Sequence, residues 1–351
     1  MSMSWHLLLA LLLLSAAAPA LAQGSECRAA LAGTDHARAL RECIEAAKSG
    51  DQRAALATGL LYAGRAGGAQ SDEDAVKWFR QAADGGNAYA QFNLGVMHHT
   101  GRGVARSTEE AARWYLKSAE QGLAQAQNDL GAMYLIQSGV RYDHRAGIGW
   151  LTKAADRGHP IAQFNLACAL LMGGATAYVG SSPGFLGPRM GISGTIFAKD
   201  EAAAASWLQK AAEQGHVIAQ FNLGLLYDKG SGVARNHAEA VKWYRKAVEA
   251  GLIPAFINLA VLYESGIDIP KDPATATQLR MKSSRAGQHR AHEFPILMLQ
   301  YGAGTTLDAA DVASGATRPE KEDLLMRFIP QFSIDPELHP EPRPAPSRGS
   351  G

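Results

Sequence analysis

Five of the six tryptophans in this chain keep a fixed interval. Trp78, Trp114 and Trp150 stand 36 residues apart, and Trp207 and Trp243 are again separated by 36. The step from Trp150 to Trp207 is 57, one period plus an interruption of 21. Around each tryptophan the same words return. Ala90 to His98 reads AQFNLGVMH, followed by Gly103-Val104, then AARWYLKSA from Ala111 to Ala119 and Gly122. Ala219 to Tyr227 reads AQFNLGLLY, followed by Gly232-Val233, then AVKWYRKAV from Ala240 to Val248 and Gly251. Self-similarity at a period of 20–50 residues means stacked supersecondary units, each packing on its neighbours, so a single globular core is excluded.

Each period reads as two helices. The first carries small and apolar residues at spacings of three and four: Ala90, Leu94 and His98; Ala126, Leu130 and Tyr134; Ala219, Leu223 and Tyr227. A glycine follows the leucine inside that helix (Gly59, Gly95, Gly131, Gly224), where glycine costs about 1 kcal/mol against alanine. A repeated cost of this kind predicts close approach of another backbone; Ala167 and Ala260 take the place in two units. The second helix carries Ala-x-x-Trp and then a small pair such as Ala82-Ala83, so the tryptophan is expected to fill the gap between helices and to dominate the stability of its unit. A lysine three residues later (Lys117, Lys153, Lys210, Lys246, Lys282) is read as a snorkelling, solvated face. Glycines at 86, 122, 158, 215, 251 and 287 close the units as helix C-caps.

The fold class is therefore all-α, an α-solenoid of helix–turn–helix repeats with a 36-residue period. Residues 52–287 form six repeats, the fourth interrupted at 173–199. Residues 23–51 form a worn capping half-repeat, in which Glu42 takes the tryptophan place; 288–318 form a C-terminal cap and 319–351 a Pro-rich tail. Residues 1–22 read as a secretory signal peptide: a short apolar run, Leu7 to Leu14, then Ala20-Leu21-Ala22 as the cleavage site. That run is shorter than the roughly 20 residues needed to span a bilayer, so a soluble, exported product without stable membrane insertion is expected. Export permits disulfides. Cys27 and Cys43 lie in two short helical stretches around Gly33-Thr34-Asp35 and are expected to pair; Cys168, in FNLACALL, reads as a small buried hydrophobe.

This pattern resembles the Sel1-like repeat, a relative of the tetratricopeptide repeat. The units of Leu94, Gly95, Gly101, Gly103, Val104, Trp114, Tyr115, Lys117 and Gly122, and of Leu223, Gly224, Tyr227, Gly230, Gly232, Val233, Trp243, Tyr244, Lys246 and Gly251, match it almost throughout. The resemblance implies a right-handed superhelix of antiparallel helix pairs, a concave face lined by the first helices, and adaptor or scaffold proteins, many bacterial and exported. Some secreted members carry a disulfide in each unit and have been linked to β-lactam binding; this chain lacks those paired cysteines.

A net charge of +1 with 19% charged residues gives no basic field for nucleic acid. No cofactor, metal or catalytic set is read from the sequence. Gly180-Ser181-Ser182-Pro183-Gly184 fits G-x-S-x-G, but a nucleophile elbow needs a strand, a helix and a sheet around it. His98-His99 and His289-x-x-His292 are ligand-capable pairs, yet adjacent helical residues diverge and His98 merely holds the tyrosine place of its unit. Two features remain. Gln91, Gln127, Gln163 and Gln220 recur on the first helices and are expected on an exposed concave surface; Asn93, Asp129, Asn165, Asn222 and Asn258 are expected to bond backbone between units. The interruption is nearly uncharged and carries Tyr178, Phe185, Arg189 and Phe197 among its side chains, a composition suited to packing on the solenoid or on a partner. The expectation is an exported, non-enzymatic adaptor that binds a protein or peptide partner of the cell envelope on its concave surface. Rival classes are an envelope hydrolase acting on cell-wall or β-lactam substrates through Ser182, and a structural component of a polysaccharide or secretion assembly.

Overall fold

The computed structural model describes residues 24–32, 35–64, 71–175 and 196–285. Among them lie two compact units, one ending at Leu123 and one beginning at Ala124. The first holds α1 (24–31), α2 (His36–Lys48), α3 (Gln52–Ala63), α4 (Asp72–Asp84), α5 (Ala88–Thr100) and α6 (Thr108–Glu120). The second holds α7 (Ala124–Ile136), α8 (His144–Asp156), α9 (Pro160–Met172), β1 (Gly174–Ala175), β2 (Ile196–Phe197), α10 (Glu201–Glu213), α11 (Val217–Lys229), α12 (His237–Glu249), α13 (Ile253–Ser265) and α14 (Pro273–Arg285). Within each unit consecutive helices pack in pairs, and the first helices from α3 to α9 begin at 36-residue steps. The fold is the expected α-solenoid.

The two helices of a repeat differ because they are buried differently. In α5 every residue from Ala90 to His99 is buried, and α9 is buried from Ala162 to Ala169. A helix that is apolar all round belongs inside. The second helices are amphipathic: α4 buries Ala75, Val76, Phe79, Ala82 and Ala83 and leaves Glu73, Lys77 and Arg80 in water. Each second helix from α4 to α12 starts on a side-chain cap (Ser71, Ser107, Asp143, Asp200 or Asn236), which accepts one of the orphan N–H groups of the first turn. The closing glycines follow the C-cap residue: Gly122 N–H donates to Ala119 and Leu123 N–H to Ser118.

The gap between paired helices is filled by the residue after the tryptophan. Phe79, Tyr115, Leu151, Leu208 and Tyr244 are fully buried, whereas Trp78, Trp150 and Trp207 are half-buried; Trp114 and Trp243 are the buried tryptophans. One step along a helix turns a side chain by about 100°, which brings this next residue into the pair and leaves the indole at its flank. There the recurring lysine lies across the ring: Lys117 over Trp114 at 3.9 Å, Lys153 over Trp150 at 3.8 Å, Lys210 over Trp207 at 3.8 Å and Lys246 over Trp243 at 4.3 Å. The lysine stem thus snorkels onto a specific partner, a cation–π contact worth roughly 0.5–1 kcal/mol at such half-exposed sites.

The helix glycines have the same cause. A Cβ on Gly59, Gly95 or Gly224 would stand 2.5–2.7 Å from the ring of Phe79, Tyr115 or Tyr244. A ring is what comes nearest in these three; at Gly95 the expected backbone is close as well, the carbonyl of Ala111 at 3.3 Å. In the third repeat the expected backbone approach does occur: a Cβ on Gly131 would lie 3.0 Å from the carbonyl of Gly147. Where the facing residue is Leu208, the chain carries Ala167.

Cys27 and Cys43 are joined in a disulfide that ties α1 to α2, with both cysteines buried, and Cys168 is a buried thiol outside that disulfide. The link closes a short loop, 16 residues apart in sequence. Its loss in a Cys27→Ser, Cys43→Ser variant is expected to destabilise the N-terminal end by about 3 kcal/mol. Intact-mass measurement before and after reduction checks the bond: no gain of two hydrogens would remove it.

Candidate functional site

The glutamines expected on an exposed face are inside. Gln91, Gln127, Gln163 and Gln220 are all buried. The Gln91 amide donates to the carbonyl of Ala83 at 3.2 Å, Gln163 to Ala155 at 3.2 Å and Gln220 to Ala212 at 3.1 Å. Each of these carbonyls sits at the C-terminal end of the preceding repeat's second helix, where the last four carbonyls lack intrahelical partners. The other end of the amide is held too. Gln121 Nε2 donates to Gln91 Oε1 at 2.7 Å, and Gln214 Nε2 to Gln163 Oε1 at 2.7 Å. In the first repeat the place is Ala55, and Gln81 of α4 bonds Ala47 instead, at 2.8 Å. These side chains join one repeat to the next and are spent in doing so.

The asparagines are also buried. Asn165 Nδ2 donates to Asn128 Oδ1 on α7 at 3.0 Å, and Asn258 Nδ2 to the Tyr244 hydroxyl on α12 at 3.3 Å. These bonds do cross between repeats, but they end on side chains and not on backbone. The third repeat departs from its neighbours. Where the others have Phe92, Phe164, Phe221 and Ile257 it has Asn128, and in the asparagine column it has Asp129. Asn128 Nδ2 donates to Asp129 Oδ1 at 2.9 Å, Asp129 Oδ2 is buried without a hydrogen bond, and burial pushes the carboxyl up to about 8.

His98 and His99 are buried at the end of α5; desolvation lowers both, His99 to about 4, so both rings are neutral at pH 7. Among the described residues no group of three or more His, Cys, Asp or Glu is arranged to hold a metal. His289, His292, Ser182, Tyr178, Phe185 and Arg189 lie outside the described residues, as do the expected signal peptide, C-terminal cap and tail. Of Phe197 the backbone alone is described. No helix among the described residues is long and apolar enough to cross a membrane.

What distinguishes the fourth repeat is how its interruption is seated. β1 and β2 pair antiparallel, Gly174 opposite Phe197 and Ala175 opposite Ile196. The chain therefore leaves and re-enters the stack at one place, between the end of α9 and Asp200, whose N–H bonds the carbonyl of Leu170 at 3.1 Å. The pair is the one strand pairing among the described residues, too small to be the sheet that a nucleophile elbow requires. The 20 residues 176–195 stand in sequence between the two strands and lie outside the described residues.

The family model for the Sel1 repeat matches residues 52–87, 88–123, 124–159, 160–178, 185–216, 217–252 and 255–279. The fourth and fifth of these segments run into the interruption from either side and leave 179–184 between them unmatched. Among solved structures, the chain is similar to a protective antigen of uropathogenic Escherichia coli with an SLR fold: 31% identity, 71% of this chain and 49% of that one, TM-score 0.62. This chain thus spans about half the length of that antigen. It is also similar to a Sel1 repeat protein from Oxalobacter formigenes: 25% identity, 73% of this chain and 96% of that one, TM-score 0.56. No curated protein matches it.

Proposed function

The chain belongs to the Sel1 repeat family, whose repeats are typically protein-interaction scaffolds, and from that premise we propose that it is an exported, non-enzymatic adaptor holding a protein or peptide partner through the interruption of its fourth repeat. The observation that carries this reading is the strand pair at the base of residues 176–195. The repeat closes at the foot of this segment, where Asp200 N–H bonds the carbonyl of Leu170. Asn236 N–H bonds Tyr227 in the same way. The excursion is rich in large apolar residues, among them Tyr178, Phe185 and Leu186, with Arg189 its one charge. Such surface is suited to burial against a partner, and insertions in repeat proteins map to the binding face. The polar residues of the first helices, by contrast, are already committed to the stack.

Export is supported by the apolar N-terminal run and by the Cys27–Cys43 disulfide, since such bonds persist in oxidising compartments. The test replaces residues 176–195 by Asn-Gly, a two-residue turn suited to an antiparallel pair. Thermal unfolding is expected to stay within about 3 °C of the parent, because the hydrogen bond of Asp200 N–H to Leu170 that closes the repeat is kept. In-cell crosslinking in the native envelope, read by mass spectrometry, is expected to capture one dominant protein with the parent and to lose it with the shortened chain. Equal capture by both chains would refute the placement; capture of no protein by either would refute the adaptor.

A further inference from the structure

The side chains that cap the first helices are not equivalent. Asp51 caps α3 and Asn87 caps α5, each through a side-chain oxygen. At the same place α9 and α11 start on His159 and His216. The Nδ1 of His159 accepts from the N–H of Ala162 at 3.2 Å, and the Nδ1 of His216 from Ala219 at 3.1 Å. An imidazole can take this role solely while that nitrogen keeps its lone pair. Protonation converts the acceptor into a donor facing an N–H, and sets a cation at the positive end of the helix dipole. Asn and Asp caps suffer no such conversion on mild acidification.

We propose that His159 and His216 form a paired, acid-released cap joint between the fourth and fifth repeats, so that mild acid loosens the first turns of α9 and α11 while the helices capped by Asp51 and Asn87 hold. The two histidines belong to one assembly. His216 stacks on Phe164 of α9, ring centroids 4.6 Å apart at 22°, and Phe164 is buried. His159 feels the charge of His216, and together with burial, the larger cause, this holds its imidazole down to about 4. Of the nearby groups on the elements packed around them, Asp156 and Arg157 at the end of α8 and Lys210 and Glu213 of α10 are exposed to water, and the charge acting on His159 is that of His216.

The sign follows from the depressed native value. Above the ordinary histidine range both folded and opened states are neutral and the caps are intact. As pH falls from about 6.5 towards 4, the opened first turn of α9 takes up at His159 a proton that the closed one refuses, and closure there weakens, and with it the joint that His216 shares. The joint is independent of whatever partner the chain holds, but it places acid sensitivity in the repeat that carries the interruption.

Hydrogen exchange of the Ala162 and Ala219 amides in the full chain reads the caps directly. Their protection factors are expected to drop more than about tenfold between pH 7.5 and 4.5, beyond the intrinsic change, while Ala90, capped by Asn87, moves little. In a His159→Asn, His216→Asn variant, which places the Asn87 solution at both sites, the drop is expected to shrink below about threefold. An equal drop in the variant, or none in the parent, overturns the proposal. Should the double variant not fold, the imidazole resonances of the parent decide: ionisation of His159 in the ordinary histidine range also overturns it.

Discussion

Replacing Gly232 with alanine is expected to cost the fifth repeat about 2–5 kcal/mol, roughly twice the cost of the same replacement at Gly251. Both glycines sit at positive φ, +70° and +84°, where an L side chain costs roughly 1–2 kcal/mol. They differ in what a methyl group would meet. At Gly251 nothing lies within 4 Å. At Gly232 the new Cβ would stand 2.1 Å from the carbonyl oxygen of Glu201 and 2.3 Å from its carbon, at the first turn of α10. Backbone at a helix start cannot swing away as a side-chain tip can, so the loop must lift from the preceding repeat, and overpacking of this kind adds roughly 1–3 kcal/mol. Gly103 repeats the geometry against Asp72, with 2.2 Å to its oxygen, and there Arg102 also pairs with the Asp72 carboxylate at 2.6 Å. The G-x-G-V loop is thus the clasp by which the second and fifth repeats grip the repeat before them. Urea unfolding of Gly232→Ala beside Gly251→Ala separates the two contributions. A loss at Gly232 no larger than that at Gly251 would show that the loop is not gripped.

This clasp also shows what the sequence discloses and what it withholds. The 36-residue interval, the small pairs and the closing glycines were enough to lay out the helices, because they report a packing geometry that every unit repeats. The same regularity misassigned individual side chains. The tryptophan is the loudest residue of its repeat, yet Tyr115 or Tyr244 beside it fills the gap, since a one-residue step exchanges the interface for its flank. Gln91 gave the opposite error. An amide in mid-helix looks alike whether it faces water or the orphan carbonyl of a neighbouring helix. The available signal was its recurrence at one place, together with the exchange in the first repeat, where Ala55 stands at the glutamine place and Gln81 serves Ala47 instead. Partners of that sort are fixed across repeats, and periodicity within a helix does not carry them. The histidine caps were invisible for a related reason: their meaning lies in which ring nitrogen accepts the N–H, not in their spacing.

Asp129 breaks the asparagine column, and changing it to asparagine is expected to stabilise the chain by about 3 kcal/mol at pH 7. The carboxyl is buried, with Asn128 as its donor on one oxygen and a pKa raised to about 8. An unfolded aspartate is ionised above about 4, so folding at pH 7 requires the uptake of a proton. Each unit of separation between pH and the unfolded value contributes about 1.4 kcal/mol, or roughly 4 kcal/mol in all. Because the native value is raised, the associated stability is complete below about 4 and is lost as pH climbs towards 8, above which the native carboxylate ionises as well. Asparagine occupies the same volume, carries no proton equilibrium, and already fills the column at Asn93, Asn165, Asn222 and Asn258. Its second amide hydrogen needs an acceptor, and leaving that unmet returns about 1 kcal/mol of the gain. Asp129→Asn should therefore cost about 1 kcal/mol near pH 4, break even near about pH 5, gain steadily through neutrality and level off above pH 8, opposite in direction to the acid loosening at His159 and His216. Unfolding midpoints of parent and variant across that range test it. A stabilisation that does not vary with pH would mean that Asp129 folds already ionised, with a partner for its free oxygen.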